Sequence, residues 1–242
     1  MHPPPSLTEA WRWRPAEMGE LQFLNRARPA EISERLLVWW RRNKRNFPWR
    51  EERDPYRIMV AEILLQRTRA EQVKKIYRSF LARFPTPESL AGAREEEIED
   101  FFSRLGLMWR AKKMKALGEA IVSRFGGLVP ESREELLTLP GVGEYVASAV
   151  QVFAFGRDMA VVDANVCRVL GRIFGVRPKG EARRDRRFAE IARSLLPPGG
   201  AREFNWAVID FASSVCVPGK PKCHECPISF FCKYFGNEKE PG

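Results

Sequence analysis

Four cysteines near one end of the chain, Cys216-x6-Cys223-x2-Cys226-x5-Cys232, put four thiols within seventeen residues. Pro218, Pro221 and Pro227 force loops between them, so the thiolates can converge on one centre. A zinc site usually offers two close pairs. Here one Cys-x2-Cys pair is flanked by single cysteines at longer spacing, which favours an iron-sulfur cubane over zinc and leaves disulfides third. The fifth cysteine, Cys167, lies in an apolar helical stretch and reads as core. Two carboxylates stand out as candidates for chemistry. Asp163 follows Ala160-Val161-Val162 and precedes a helical run from Ala164, so its structural role is an N-cap. The cap and a chemical role are compatible, because N–H donors fix the carboxylate while its charge faces a developing cation. Glu62 interrupts the apolar run Ile58 to Leu65, and a buried carboxylate holds its proton more strongly, which suits a general acid. The competing reading is a structural carboxylate bonded to neighbouring backbone or to Tyr145.

These groups need helices to hold them. Ile32, Leu36, Leu37 and Trp40 mark one helical face, and residues 43–53 form a basic connector. Thr86-Pro87 opens a helix as cap and first turn, Gly106 can close the next, and Ser132 with Glu135 makes a capping box. Strand signals are scarce, so the class is all-α. Residues 1–30, with five prolines and scattered charge, are expected to form a poorly ordered arm. Between the helix capped at Ser132 and a second stretch, 144–155, lies Leu139-Pro140-Gly141-Val142-Gly143. Pro140 stops the first helix, and the glycines permit a tight turn that leaves the N–H groups of the second helix outward as a phosphate site. Gly141, Val142 and Gly143 would then grip a nucleic-acid backbone without reading sequence. An ordinary αα-hairpin turn is the plainer alternative.

Composition narrows the classes. Lys and Arg exceed Asp and Glu by 41 to 31, a net charge of +10, which favours a polyanionic partner such as nucleic acid. Charge alone also admits a basic enzyme without such a ligand. Only His2 and His224 are present, which removes serine-histidine catalysis and histidine-rich zinc catalysis. No apolar run approaches the roughly 20 residues of a membrane helix, and no signal peptide is evident, so an intracellular protein is expected.

Taken together, the LPGVG hairpin, an aspartate twenty residues beyond its last glycine and the cysteine spacing resemble the helix-hairpin-helix glycosylase superfamily of endonuclease III. The likeness spans about Leu36 to Phe235. It implies two helical lobes with a DNA-binding cleft between them: a six-helix lobe at 54–164 carrying the hairpin, and a second lobe from 31–53 plus 165–242 with a [4Fe-4S] cluster in its loop at 216–232. Double-stranded DNA with a damaged or mismatched base is the implied partner, the target nucleotide flipped out of the stack, and a monomer is expected.

Endonuclease III carries a lysine in the helix after the hairpin, where this chain has Tyr145. A phenol cannot form a Schiff base, so the resemblance implies a monofunctional glycosylase without lyase activity. Glu62, in Ala61-Glu62-Ile63-Leu64-Leu65-Gln66-Arg67-Thr68, matches the glutamate that assists base departure in monofunctional members. Asp163 would stabilise the sugar cation, and Gln66, Arg67 and Leu107 would fill or probe the gap left by the flipped base. Phe47-Pro48-Trp49-Arg50, Asp54-Pro55-Tyr56, Val162-Asp163-Ala164-Asn165 and Asp210-Phe211 are similar to the thymine glycosylase acting on T/G mismatches. Gln66 departs from it, since an arginine is typical there. The alternatives are an adenine glycosylase acting opposite 8-oxoguanine, a bifunctional glycosylase-lyase and a non-catalytic DNA-binding protein.

Overall fold

A computed structural model describes residues 28–103 and 108–237. Residues 1–27, most of the expected arm, lie outside the described residues, as do Gly106 and Leu107. Pro29 and Ala30 belong to the first helix, not to the arm: Pro29 pre-sets the first turn, and Glu31 there and Arg41 and Arg42 in the last turn complement the helix dipole. The described residues form helices and loops with no strand among them. In chain order the α-helices are α1 (Pro29–Asn43), α2 (Pro55–Leu65), α3 (Ala70–Arg83), α4 (Pro87–Ala91), α5 (Glu95–Ser103), α6 (Ala111–Phe125), α7 (Arg133–Leu136), α8 (Glu144–Phe153), α9 (Ala164–Phe174), α10 (Arg186–Ser194), α11 (Ala201–Ser214) and α12 (Lys233–Asn237). None is long and apolar enough to cross a membrane.

Two compact units result. One runs up to Arg45 and resumes at Asp158, and the other is Asn46–Arg157. These limits fall earlier than the 54 and 164 read from the sequence. For the first limit the reason is aromatic packing in the connector: Phe47 stacks on Trp49 with ring centroids 4.8 Å apart, and Trp49 meets Tyr77 of α3 edge-on at 5.5 Å. The connector therefore goes with α2 and α3, and Asp163 with α9.

Within the Asn46–Arg157 unit, α2 starts cleanly because the Asp54 carboxylate accepts the Arg57 N–H at 3.0 Å and Pro55 supplies the first turn. Eight of its eleven residues are buried, the pattern of a helix enclosed on all sides. It packs on α8 and α3. Helix α4 is capped reciprocally by Thr86 and Ser89 and presses on α6, where a Cβ added at Gly118 would come within 2.8 Å of the Ala91 nitrogen. Helix α7 is a single turn, with the Ser132 hydroxyl accepting from the Glu135 N–H at 3.2 Å and donating to its carboxylate at 2.9 Å.

The other unit is built on one apolar core: Ile32 and Leu36 of α1, Val169, Leu170 and Ile173 of α9, Phe188 and Ile191 of α10, and Phe204, Val208 and Phe211 of α11. Each large side chain buried in this way contributes about 1.5–3 kcal/mol. Beside the core, fully buried Asp210 accepts from Trp40 Nε1 at 2.9 Å and pairs with Arg45 at 2.7 Å, tying α1 to α11. A buried carboxylate is tolerated only when so partnered.

Candidate active site

The hairpin follows α7. Gly141 has φ +82°, a left-handed conformation that glycine adopts without penalty, and the Val142 N–H closes the turn on the Leu139 carbonyl at 3.1 Å. Gly143 caps α8 with extended backbone and no side-chain cap, so the first N–H groups of this ten-residue helix are not met by a capping side chain. Tyr145 sits in that first turn and is half-buried. In the same unit α2, which packs on α8, carries Glu62, only 5% exposed.

Gln66 caps the C-terminal end of α2, and its Nε2 donates to the Gly141 carbonyl at 3.0 Å. The structure thus joins two sequence candidates directly: the end of α2 braces the hairpin. The next residue, Arg67, is exposed and holds φ +56°, a strained conformation for a residue with a Cβ. Its charge lies close enough to Arg110 to join burial in lowering that guanidinium's pKa.

In the other unit, Asp163 forms the N-cap of α9. Oδ1 accepts the Val166 N–H at 2.7 Å, and Oδ2 accepts from Asn165 Nδ2 at 2.8 Å. Asn165 is in turn oriented by Arg168, whose Nη1 donates to its Oδ1 at 2.8 Å. The carboxylate is half-buried and has a fixed direction, the arrangement in which a charge acts with little reorganisation.

One α9 face also secures the cysteine loop. Arg168 donates to the carbonyls of Ala212 at 2.8 Å and Cys216 at 3.1 Å, and Arg172 to those of Val217 at 2.8 Å and Gly219 at 3.0 Å. Cys216, Cys223, Cys226 and Cys232 all line one cavity, whose other walls include Ile173, Phe211, Val215 and Ile228. Burial pushes the Cys226 thiol up to about 12, opposed by the Ile228 backbone N–H and reinforced by the other three cysteines. Four thiolates so placed call for a positively charged centre. Among the described residues, no group of three or more His, Cys, Asp or Glu side chains is placed to hold a single metal ion. Cys167 is buried in the core, apart from this cavity.

Asn165 and Asp210 stand in stretches that carry the resemblance but had no role assigned from the sequence, and Arg168 was missed. An asparagine two residues after the capping aspartate was a usable local signal. The Ala212 and Cys216 carbonyls bonded by Arg168, and the Trp40 and Arg45 side chains bonded to Asp210, lie more than forty residues away and left no local trace.

Comparison with known proteins agrees with this architecture. Residues 60–194 match the HhH-GPD superfamily base excision DNA repair protein family, and residues 216–232 the iron-sulfur binding domain of endonuclease III, so the cofactor is a [4Fe-4S] cluster. The thymine/uracil-DNA glycosylase of Methanothermobacter thermautotrophicus is 40% identical over 201 residues, covering 83% of this chain and 91% of that protein. The thymine-DNA glycosylase of Aeropyrum pernix is 39% identical over 221 residues, 89% of this chain and 99% of that one. A solved structure of a thermostable thymine-DNA glycosylase superposes with a TM-score of 0.83 at 38% identity, covering 88% of this chain and 99% of that one. The all-α fold, the hairpin, the cluster loop and these relatives place the chain in the HhH-GPD superfamily of base excision DNA repair proteins, as a DNA glycosylase.

Proposed function

We propose that this glycosylase is monofunctional and releases thymine or uracil mispaired with guanine in duplex DNA. The observation that carries the chemistry is Asp163, anchored through both oxygens at the start of α9. The relatives named for thymine and uracil, with identity of about 40% across nearly their whole length, support the choice of base.

In the reaction, Gly141, Val142 and Gly143 hold a phosphate on the uncapped N–H groups of α8, while Gln66, Arg67 and Leu107 occupy or probe the gap left by the extruded base. Gln66 does so from a braced position, and Arg67 from an exposed one. Glu62 donates a proton to the departing base, and Tyr145 contacts that base. As the bond from C1′ to the base nitrogen breaks, Asp163 lowers the energy of the oxocarbenium-like sugar and directs water to C1′. The water's hydroxyl remains on the sugar, the base leaves with the proton from Glu62, and the proton released by the water passes through solvent to restore the Glu62 carboxyl group. Tyr145 offers no amine, so the product is an intact strand with an abasic site. Cys216, Cys223, Cys226 and Cys232 would hold the cluster, which supplies a structural anchor for a loop bearing Lys220, Lys222 and Lys233 near the DNA backbone. The enzyme works as a monomer, without a membrane partner.

Labelled duplexes containing T/G, U/G or A/8-oxoguanine, read with and without hot alkali, test this reading. We expect cleavage at T/G and U/G only after alkali. Cutting confined to A/8-oxoguanine would overturn the choice of base, and strand scission without alkali, together with a borohydride-trapped adduct, would overturn monofunctionality.

A further inference from the structure

From the end of α8 to the start of α9 the chain runs without helix, through residues 154–163. This segment delivers Asp163, so its backbone sets where the carboxylate stands. At one end the Arg157 N–H bonds the Gln151 carbonyl, and at the other the Cys167 N–H bonds the Asp163 carbonyl. Val161, between them, is buried and needs an internal partner for its N–H.

That partner is a side chain 44 residues away. Asn205 Oδ1 accepts the Val161 N–H at 2.7 Å, and Asn205 Nδ2 donates to the Met159 carbonyl at 2.9 Å and to the Ala201 carbonyl of its own helix at 2.8 Å. Asn205 is 4% exposed, flanked in α11 by buried Phe204 and Trp206. The oxygen faces an N–H and the nitrogen faces two carbonyls, which defines the orientation of the amide. The carboxamide therefore acts as a strand partner one residue long, bonding the N–H of Val161 and the carbonyl two residues before it. The carboxylate of Asp163 is fixed relative to α9 by Val166 and Asn165, whereas Asn205 fixes the incoming backbone relative to α11.

We infer that Asn205 is a positioning residue for the reaction, clamping the Met159–Val161 backbone to α11 so that Asp163 meets the sugar in register. This rests on the reading of Asp163 given above. Deleting the amide leaves the buried Val161 N–H and the part-buried Met159 carbonyl, two and four residues before the carboxylate, without their partner, and a displacement of about 1 Å at a reacting group costs roughly a hundredfold in rate.

The test uses full-length, cluster-loaded Asn205→Ser and Asn205→Asp. The aspartate keeps an acceptor for Val161 but turns an oxygen toward the two carbonyls. Single-turnover thymine release from a T/G duplex should fall by about 10²-fold. The Kd for a duplex with a tetrahydrofuran abasic analogue should stay within about threefold, less than 1 kcal/mol. Rate and affinity falling together, or an unchanged rate in either folded variant, would overturn the clamp. Amide exchange in the wild type decides the matter should neither variant fold: a Val161 N–H as protected as the amides of α9 supports it, and one exchanging as fast as exposed loop amides overturns it. Asp163→Asn is assayed alongside. Turnover retained there defeats the reading of Asp163, whereas an inert Asp163→Asn with fully active Asn205 variants defeats the clamp alone.

Discussion

Asp163→Asn is expected to lower single-turnover base release by at least about 10³-fold, roughly 4 kcal/mol of transition-state stabilisation, with duplex affinity and folding little changed. Asparagine is as good an N-cap as aspartate, so its oxygen can still accept the Val166 N–H that Asp163 accepts at 2.7 Å. The charge is lost, and the new amide group opposes the Asn165 nitrogen that now donates to Oδ2. Asn165 can escape only by turning its oxygen away from Arg168, a local cost of about 1 kcal/mol. Rapid-quench assays of thymine release, with gel-shift titration on the same duplex, read both quantities. A variant that binds and turns over like the wild type would remove Asp163 from the chemistry.

The second large effect belongs to the cluster loop. Cys226→Ser should strip the visible absorption of iron and sulfide from the purified protein and destabilise it by more than about 4 kcal/mol, the size associated with losing a bound metal centre. For a chain of this length that corresponds to a fall in Tm of about 10 °C. The cavity lined by the four cysteines is bordered by Ile173, Phe211 and Val215, core residues or neighbours of α9 and α11, so an empty loop would leave that apolar surface under-packed. Cys167→Ser is the control. It buries a hydroxyl in the same core, costing about 1–3 kcal/mol, but keeps the colour. Absorption and iron content retained in Cys226→Ser would remove that residue from the ligand set.

Much of this was legible in the chain because the relevant signals are local. The cysteine spacing, the hairpin glycines and the capping position of Asp163 each depend on residues within a few positions of one another, and the all-helical class follows from periodicity. Gln66 was legible as a candidate but not in its role, because its partner, the Gly141 carbonyl, lies 75 residues on. Asn205 and Asp210 were opaque for the same reason: each is a polar residue on an apolar helix, and nothing nearby reveals which distant N–H or cation it satisfies. The first unit boundary falls earlier than the one read from the sequence because Phe47 and Trp49 read as part of a basic connector, whereas stacking buries both beside α3.

The central claim is that the charge on Asp163 faces a positively charged sugar. A duplex carrying a pyrrolidine in place of the target deoxyribose presents such a cation, and one carrying tetrahydrofuran presents its neutral counterpart. Affinities of both for the wild type and for Asp163→Asn measure the effect directly. The wild type should bind the pyrrolidine duplex at least about 10²-fold tighter, as a transition-state mimic, and Asp163→Asn should bind the two alike. Equal affinities in the wild type, or a preference that survives the substitution, would contradict it.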